Sequence, residues 1–200
     1  MLMIKNHTKI KATKPGQNYE IRVNPERIEG AKLFQGRNRL LTNCRSLLGE
    51  NIVACEVGVL AGDFSVELQK TLSPQKLYLI DTNTKRVKER FAGEAGIEII
   101  EGVSWESLES FPDNSFDYIY IDADHSYEAV SKDIKVAHKK IKSGGIIQCN
   151  DYTNFSLGEN MQYGVLYAVN EYLEDIESVS VVGLSLDRSG YHDIALLVGK

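Results

Sequence analysis

The sequence lacks the features that mark several classes of protein. Its formal net charge of −5 over 200 residues offers no positive field to nucleic acid or to an anionic membrane surface. Its three cysteines, Cys44, Cys55 and Cys149, are far apart and form no Cys-x-x-Cys pair, so we expect buried, reduced thiols. The chain has no stretch resembling a signal peptide or a transmembrane helix. We therefore expect a cytoplasmic protein without nucleic-acid or membrane partners.

The composition is that of a globular protein with one main domain. Hydrophobic residues make up 42% of the chain and charged residues 26%, both ordinary proportions, and 200 residues suffice for a sizeable core. Residues 1–25 are polar and indicate an extended arm, whereas residues 26–48 have helical spacing. We predict an arm and helix over residues 1–49, acting as a lid or a homodimer contact, and a domain over residues 50–200.

Strand-like and helical segments alternate along that domain. We predict strands at 52–56, 76–80, 97–101, 116–121 and 145–149, and helices at 63–72, 84–92, 104–110 and 127–141. Such alternation predicts a parallel sheet covered by helices on both faces. After a helix at 160–174, strands at 177–184 and 191–198 are joined by a turn so short that they must be antiparallel. The expected fold is α/β, with a Rossmann-like doubly wound sheet that is mostly parallel and has a C-terminal antiparallel strand.

Residues 53–65, Val-Ala-Cys-Glu-Val-Gly-Val-Leu-Ala-Gly-Asp-Phe-Ser, are the most informative segment. A strand that runs into a glycine turn and a helix is how open α/β sheets receive nucleotide-like ligands. The dinucleotide pattern Gly-x-Gly-x-x-Gly would need glycine at position 60, where the chain has Leu60. An ordinary strand-to-helix turn is the alternative interpretation.

An acid two residues before the first glycine resembles motif I of class I S-adenosylmethionine (SAM) methyltransferases. The resemblance implies that the turn makes room for the methionine part of SAM. The cofactor-binding residues expected there are Glu56, Gly58, Val59, Gly62, Phe64 and Ser65. The terminal antiparallel hairpin also favours this fold over the dinucleotide-binding fold, which ends in another parallel strand.

Two further segments are expected to hold the rest of the cofactor. Asp81 ends the second strand, where an acid faces the ribose hydroxyls of a ligand seated on the first turn. NAD and SAM sites both use such an acid, and a helix-capping role is the alternative. In class I methyltransferases the loop at residues 101–105 lies beside the adenine, which implies that Ser104 bonds the ring and Trp105 stacks on it. Trp105 is the single tryptophan, and it would otherwise anchor the core.

Polar side chains follow the next two strands of the predicted sheet. Asp122, Asp124 and His125 come directly after one strand, and Asn150 and Asp151 follow the other. Because neighbouring parallel strands lie ~5 Å apart, their tips are able to share one ion. Oxygen ligands from Asp122, Asn150 and Asp151 suit Mg²⁺ or another hard divalent cation. The alternative is that these residues cap helices and bind SAM without a metal, and Asp122 is expected among the cofactor-binding residues in either case.

Asp-Ala-Asp-His-Ser-Tyr-Glu and Ser-Gly-Gly-Ile-Ile-Gln-Cys-Asn-Asp-Tyr resemble the methyltransferase type 24 family, over roughly residues 50–175. That family is akin to metal-dependent O-methyltransferases acting on catechols, caffeoyl-CoA and macrolide sugars. The resemblance implies that Asp122 binds the metal, that His125 is the general base, and that Asn150 and Asp151 complete the metal site. The order of amide and acid departs from the catechol-type enzymes, which carry the reverse.

The expected function is SAM-dependent methyl transfer to a hydroxyl oxygen of a small molecule, with Asp122 and His125 as catalytic residues. The chain lacks Asn-Pro-Pro-Tyr after its fourth strand, which favours an oxygen acceptor over a nitrogen acceptor. Residues 152–164 are expected to form the acceptor pocket. An NAD-dependent oxidoreductase and a non-catalytic SAM-binding protein are the alternatives. The other histidines are expected in solvent, at His7 and His138, and in an edge strand, at His192.

Overall fold

The computed structural model describes residues 23–187 and 190–199. His7 and most of the predicted arm lie outside these residues. The strands are β1 (Lys32–Gln35), β2 (Val53–Val57), β3 (Lys76–Asp81), β4 (Ile97–Glu101), β5 (Phe116–Ile121), β6 (Ile141–Cys149), β7 (Phe155–Ser156), β8 (Met161–Gln162), β9 (Val179–Leu186) and β10 (Ile194–Val198). The helices are α1 (Arg37–Leu47), α2 (Asp63–Leu72), α3 (Lys85–Arg90), α4 (Ser104–Glu109), α5 (Tyr127–Lys140) and α6 (Val165–Asp175). A short 3₁₀ turn covers Pro25–Arg27.

The main sheet has the strand order β1-β9-β10-β6-β5-β2-β3-β4. Strand β10 runs antiparallel to both of its neighbours, β6 and β9, and the remaining neighbours are parallel. The predicted α/β fold with a C-terminal antiparallel strand is therefore confirmed. Strand order reverses between β2 and β5, and ligands of open α/β sheets bind at the carboxyl ends of the strands at such a point.

Each face of the sheet is covered by its own hydrophobic cluster. Ile119 and Ile121 of β5 point into the cluster beneath α5 and α6. Tyr118 and Tyr120, the alternate residues, point into the cluster beneath α1 and α2. Successive side chains of a strand face opposite sides, so an uninterrupted apolar strand fits a sheet that is buried on both faces. All three cysteines are buried and unbridged, as expected.

The N-terminal region differs from the predicted helix at 26–48. Strand β1 pairs in parallel with β9, with Phe34 opposite Ser185, and the helix begins only at Arg37. Gly36 separates the two elements and has a φ of +76°. A right-handed helix cannot continue through a residue in this conformation. The helical prediction was wrong before residue 37, because the pairing partner of β1 lies about 150 positions away in sequence and leaves no local signal.

Two of the predicted histidine positions were also wrong. His192 precedes β10, which is an internal strand. His138 is partly buried, and its Nδ1 lies 2.7 Å from the hydroxyl of Tyr172.

Among the described residues, no helix is long and apolar enough to cross a bilayer.

Candidate active site

The turn between β2 and α2 packs against the backbone at the end of β5. Gly58 has a φ of +82°, and a Cβ placed on it would lie 2.0 Å from the carbonyl oxygen of Asp122. Any side chain at this position would drive the turn away from β5. The sequence interpretation assigned this glycine to the approach of a ligand, whereas the structure shows that a backbone contact already requires it.

Asp81 holds the same turn from the other side. Its Oδ2 accepts hydrogen bonds from the backbone N–H groups of Val59 and Leu60, at 2.7 Å and 2.9 Å. Its Oδ1 accepts one from the N–H of Asn83 at 2.8 Å. A carboxylate has about four acceptor positions, so these bonds leave capacity for a ribose hydroxyl. The ribose-binding role of Asp81 stays a prediction.

Glu56 lies beneath the turn as a buried carboxyl group that is 1% exposed. It accepts a hydrogen bond from the hydroxyl of Ser65, on the first turn of α2. Burial raises the pKa of Glu56 to about 8, although the Ser65 hydroxyl opposes the shift. A cation that approached Glu56 would favour its charged form.

A cavity of about 850 Å³ extends along this edge of the sheet. The predicted site residues that line it are Glu56, Gly58, Val59, Phe64, Asp81, Ser104, Trp105, Asp122 and His125. Gly62 and Ser65 are buried in the surrounding structure, so they support the cavity rather than line it. The cavity is large enough for a nucleoside ligand with an amino-acid substituent.

The far end of the cavity is formed by the start of α4. Ser104 is the first residue of that helix and is 8% exposed, and Trp105 follows it into the cavity lining. The ammonium of Lys132, on α5, lies 4.5 Å from the centre of the Trp105 ring, a cation–π contact that orients the indole. The adenine-binding roles of both residues stay predictions.

His125 lies between two carboxylates. Its Nε2 is 3.4 Å from Oδ1 of Asp122 and 3.8 Å from Oδ2 of Asp151. Burial alone would lower the pKa of His125, but these carboxylates outweigh it and raise the pKa above its ordinary value. Burial raises the pKa of Asp151 to about 6, against the effect of His125. The two predicted polar segments therefore meet at one edge of the sheet.

The loop at residues 152–164 is held against His125. The ring of Tyr163 stacks on the imidazole, with ring centroids 4.4 Å apart and planes 5° apart. The N–H of Gly164 donates to the carbonyl oxygen of His125 at 2.7 Å. A Cβ on Gly164 would lie 2.1 Å from the backbone nitrogen of Tyr127, so this contact also requires glycine. The hydroxyl of Tyr163 donates to Glu159 at 2.9 Å.

The predicted metal ligands have His125 and Asp193 as partners. The imidazole of His125 occupies the space between Asp122 and Asp151, and the amide nitrogen of Asn150 donates to Asp193 at 3.2 Å. Within residues 23–187 and 190–199, no group of three or more His, Cys, Asp or Glu side chains is placed to hold a metal ion. The metal-binding roles of Asp122, Asn150 and Asp151 stay predictions.

A second cavity, of about 430 Å³, adjoins the first and shares Arg37, Glu159 and Tyr163 with it. Asp193 lies in its wall and is 4% exposed. Its carboxylate accepts hydrogen bonds from Tyr120, Gln148 and Asn150. These contacts place a fixed negative group beside the segment that carries Asp151.

Sequence reasoning did not single out Arg37 or Asp193, although Arg37 lines both cavities and Asp193 lines the second. A signal was available for Asp193. Because β10 is antiparallel, its first residue pairs with Cys149, the last residue of β6. The start of β10 therefore lies at the ligand-binding edge of the sheet. Arg37 is the first residue of α1, and nothing in its local sequence indicates the site. Glu159 and Tyr163 belong to the loop at 152–164, for which the sequence analysis predicts an acceptor pocket.

Comparison with known proteins identifies similar sequences and folds. Residues 55–152 match the Methyltransf_24 family, described as a methyltransferase domain. Over 71 residues the chain is 32% identical to the uncharacterised protein R132 of Acanthamoeba polyphaga mimivirus. That alignment covers 36% of this chain and 30% of the viral protein.

Several solved structures share the fold. The O-methyltransferase TomG from Streptomyces achromogenes, in complex with SAM, aligns with a TM-score of 0.66 and 19% identity over 82% of this chain and 80% of its own. The O-methyltransferase from Bacillus cereus, in complex with S-adenosylhomocysteine (SAH), aligns at 0.62 and 18% over 80% of each chain. An rRNA methylase from Streptococcus thermophilus aligns at 0.63 and 12% over 81% of this chain and 95% of its own. At these identities the likeness shows the fold alone.

Proposed function

Since residues 55–152 of this chain belong to the Methyltransf_24 family of methyltransferase domains, we propose that the protein transfers the methyl group of SAM to a hydroxyl oxygen of a small molecule. The observation that carries the proposal is the single cavity that joins Glu56, Asp81 and Trp105 with Asp122 and His125. Glu56, Asp81 and Trp105 lie in this order along one edge of the sheet, and they are proposed to face the methionine, the ribose and the adenine of SAM. Two neighbours of the same fold hold SAM or SAH, which supports this choice of cofactor.

SAM supplies an electrophilic methyl group on a positively charged sulfur. The residues of this chain have to bind it, orient it and exclude water from it. The turn at Gly58, held by Asp81 and by the backbone of Asp122, provides a rigid seat for the methionine end. A rigid seat favours the in-line approach of an acceptor oxygen, and such positioning supplies much of the rate in group transfer.

His125 is the proposed general base. As the acceptor oxygen bonds to the methyl carbon and the carbon–sulfur bond breaks, the hydroxyl proton passes to the imidazole. The carboxylates of Asp122 and Asp151, at 3.4 Å and 3.8 Å, stabilise the imidazolium that results. Tyr163 stacks on the ring and keeps it in one orientation.

The acceptor is proposed to enter through the second cavity, whose wall includes the loop at 152–164. Although one neighbour of this fold is an rRNA methylase, a small molecule is the better fit for this chain. The net charge is −5, and Asp151, Glu159 and Asp193 line the entrance. RNA phosphates would be repelled by such a surface.

Assistance by a divalent cation is a separate part of the proposal. A cation bound by Asp122, Asn150 and Asp151 would have to displace His125 from between the two carboxylates, so no step of the reaction is assigned to it. The sequence resemblance supports the cation, whereas in the structure the imidazole of His125 lies between the two carboxylates. Thermal unfolding with and without Mg²⁺ tests the cation.

The first test is thermal unfolding with SAH or NAD⁺, each in the presence of Mg²⁺ or EDTA. A ligand at ~100 times its dissociation constant adds about 2.7 kcal/mol to the free energy of unfolding. For a chain of this length the midpoint should rise by roughly 5–10 °C. A shift with SAH supports the cofactor, and an additional Mg²⁺-dependent shift supports the cation. A shift with NAD⁺ alone would instead indicate an oxidoreductase.

The second test separates an enzyme from a SAM-binding protein. Radiolabelled SAM is incubated with the protein and a panel of catechols and hydroxylated sugars, matched with analogues that lack the hydroxyl group. Label transferred to a hydroxylated compound but not to its analogue supports O-methylation. SAH binding without transfer to any compound would favour the non-catalytic alternative.

A further inference from the structure

The cofactor cavity carries an excess of negative groups. Its lining contains the carboxylates of Asp63, Asp81, Asp122, Asp124 and Glu159, in addition to the buried carboxyl group of Glu56. Arg37 is the one arginine or lysine that lines it within the described part of the chain. The amino-acid end of SAM and SAH bears an ammonium, which these acids suit, and a carboxylate, which they repel. A cation beside the bound carboxylate would offset this repulsion and satisfy its oxygens.

Arg37 lies at the end of the cavity where the amino-acid portion belongs. It is the first residue of α1, and its Cζ lies 4.4 Å above the ring centre of Phe64, at the start of α2. Its Nη1 donates to the hydroxyl of Tyr120 at 3.4 Å. These contacts place the guanidinium on the side of Glu56 and the β2–α2 turn, away from Trp105.

Phe64 and Tyr120 orient the guanidinium of Arg37, but most of its N–H groups remain available to a ligand in the described structure. A guanidinium has five N–H donors, and the contact with Tyr120 uses one of them. Among the described residues, no carboxylate forms an ion pair with Arg37. Stacking on Phe64 restricts the plane of the group, so little side-chain entropy remains to be lost when a planar carboxylate binds to the fork.

We propose that Arg37 binds the carboxylate of the amino-acid portion of SAM and SAH and thereby selects ligands that carry it. The inference rests on the proposed function, because it assumes that the cavity binds SAM. It adds to that function a residue from outside the matched family segment at 55–152. The selectivity of the site for its cofactor would then depend on the N-terminal region of the chain.

The test compares two ligands by isothermal titration calorimetry. SAH carries the carboxylate, and decarboxylated SAH retains the ammonium, the thioether and the adenosine. Charge-assisted hydrogen bonds of this kind correspond to about a ten- to hundredfold change in affinity. We expect wild-type protein to prefer SAH by that factor, and Arg37→Gln to lose the preference by weakening SAH while leaving the decarboxylated ligand within about twofold.

Two further variants complete the experiment. Arg39→Gln removes the same charge from an exposed position two residues along α1, and we expect it to keep the wild-type preference. Arg37→Lys keeps the charge without the planar fork, so an intermediate preference is expected. It also provides a second measurement if Arg37→Gln does not fold.

The outcomes separate this inference from the function on which it rests. If wild-type protein binds neither ligand, the SAM hypothesis fails and the inference fails with it. If wild-type protein binds SAH but Arg37→Gln keeps the preference, or weakens both ligands equally, the role of Arg37 in carboxylate binding is refuted while SAM binding stands. A preference lost equally in Arg39→Gln would refute it too, because the effect would then be one of overall charge.

Discussion

At the scale of single residues, Glu56 couples the stability of the protein to pH. Burial raises the pKa of Glu56 from 4.5 to about 8 in the folded state. Between these values the folded protein keeps a proton that the unfolded chain releases. The contribution of this group to the free energy of unfolding therefore falls as the pH rises from about 4.5 to about 8, and is constant above that.

Glu56→Gln should remove this dependence. We expect the melting midpoint of the variant to exceed that of wild type by an amount that grows between pH 5 and pH 8. Its affinity for SAH should fall by about tenfold, since a charged partner for the ligand's ammonium is lost. Thermal melts at several pH values and calorimetry with SAH measure the two effects.

The matched control is Glu67→Gln, which changes a carboxylate on the same side of the sheet that accepts a bond from Asn38 near the surface. This variant should differ little from wild type at any pH. A Glu56→Gln protein whose midpoint follows that of wild type at every pH would show that Glu56 is ionised in the folded apoprotein.

His125 should affect the chemical step more than the binding of the cofactor. A positioned general base contributes about 10²–10⁴-fold to rate, so His125→Gln should lose that much methyl transfer while the dissociation constant of SAH changes by less than about threefold. The measurement is transfer of label to an acceptor found in the panel, alongside calorimetry. A variant with wild-type turnover would assign the proton to another group.

At the scale of elements, the junction between the β2–α2 turn and the end of β5 leaves no room for a side chain at position 58. Gly58→Ala would place a methyl group 2.0 Å from the carbonyl oxygen of Asp122. Gly93 provides the control, because it has a φ of +79° but a Cβ at this position would have nothing within 4 Å. Its substitution by alanine therefore reports the cost of the backbone conformation alone.

We expect Gly93→Ala to lower the free energy of unfolding by about 1–2 kcal/mol. Gly58→Ala should lower it by at least about 2 kcal/mol more, because backbone atoms on both sides of the contact have to move. Urea denaturation followed by circular dichroism gives both values. Equal losses in the two variants would mean that the turn moves freely away from β5.

At the scale of the whole molecule, the sheet joins elements from distant parts of the chain. Strand β1 at one edge and β4 at the other belong to the same eight-stranded sheet. Residues from α1, including Leu40 and Leu41, are buried in the cluster that also covers β2 and β3. The N-terminal helix is thus part of the core that supports the cofactor cavity.

We therefore expect the described region to unfold in one transition. Trp105 is the single tryptophan and lies near the β4 edge, so its fluorescence reports that end of the sheet, whereas far-ultraviolet circular dichroism reports all elements. The two denaturation curves should coincide, and SAH should shift both equally. A fluorescence transition that separates from the dichroism curve would show that the two ends of the sheet unfold independently.

Much of the fold followed from local patterns. The alternation from β2 to β6 was predictable because each strand is a short apolar run that ends at a glycine, an acid or a capping residue. Ser126 caps α5, because its hydroxyl oxygen accepts a hydrogen bond from the N–H of Ala129 at 3.4 Å. Antiparallel pairing of β9 and β10 followed from the short turn between them. The sequence does not contain such a signal for β1, whose partner is distant.

The sequence by itself determined that Asp122, His125 and Asp151 would meet, because parallel strands end at a common edge and carry their following residues to it. The tertiary structure alone decided what lies around them. Arg37 approaches from α1, Tyr163 from the loop at 152–164, and Asp193 from the antiparallel strand. Periodicity and motifs record which face of an element is buried, but a contact between distant segments depends on how the elements pack. The contacts that these three residues make with the predicted site are therefore visible only in the folded chain.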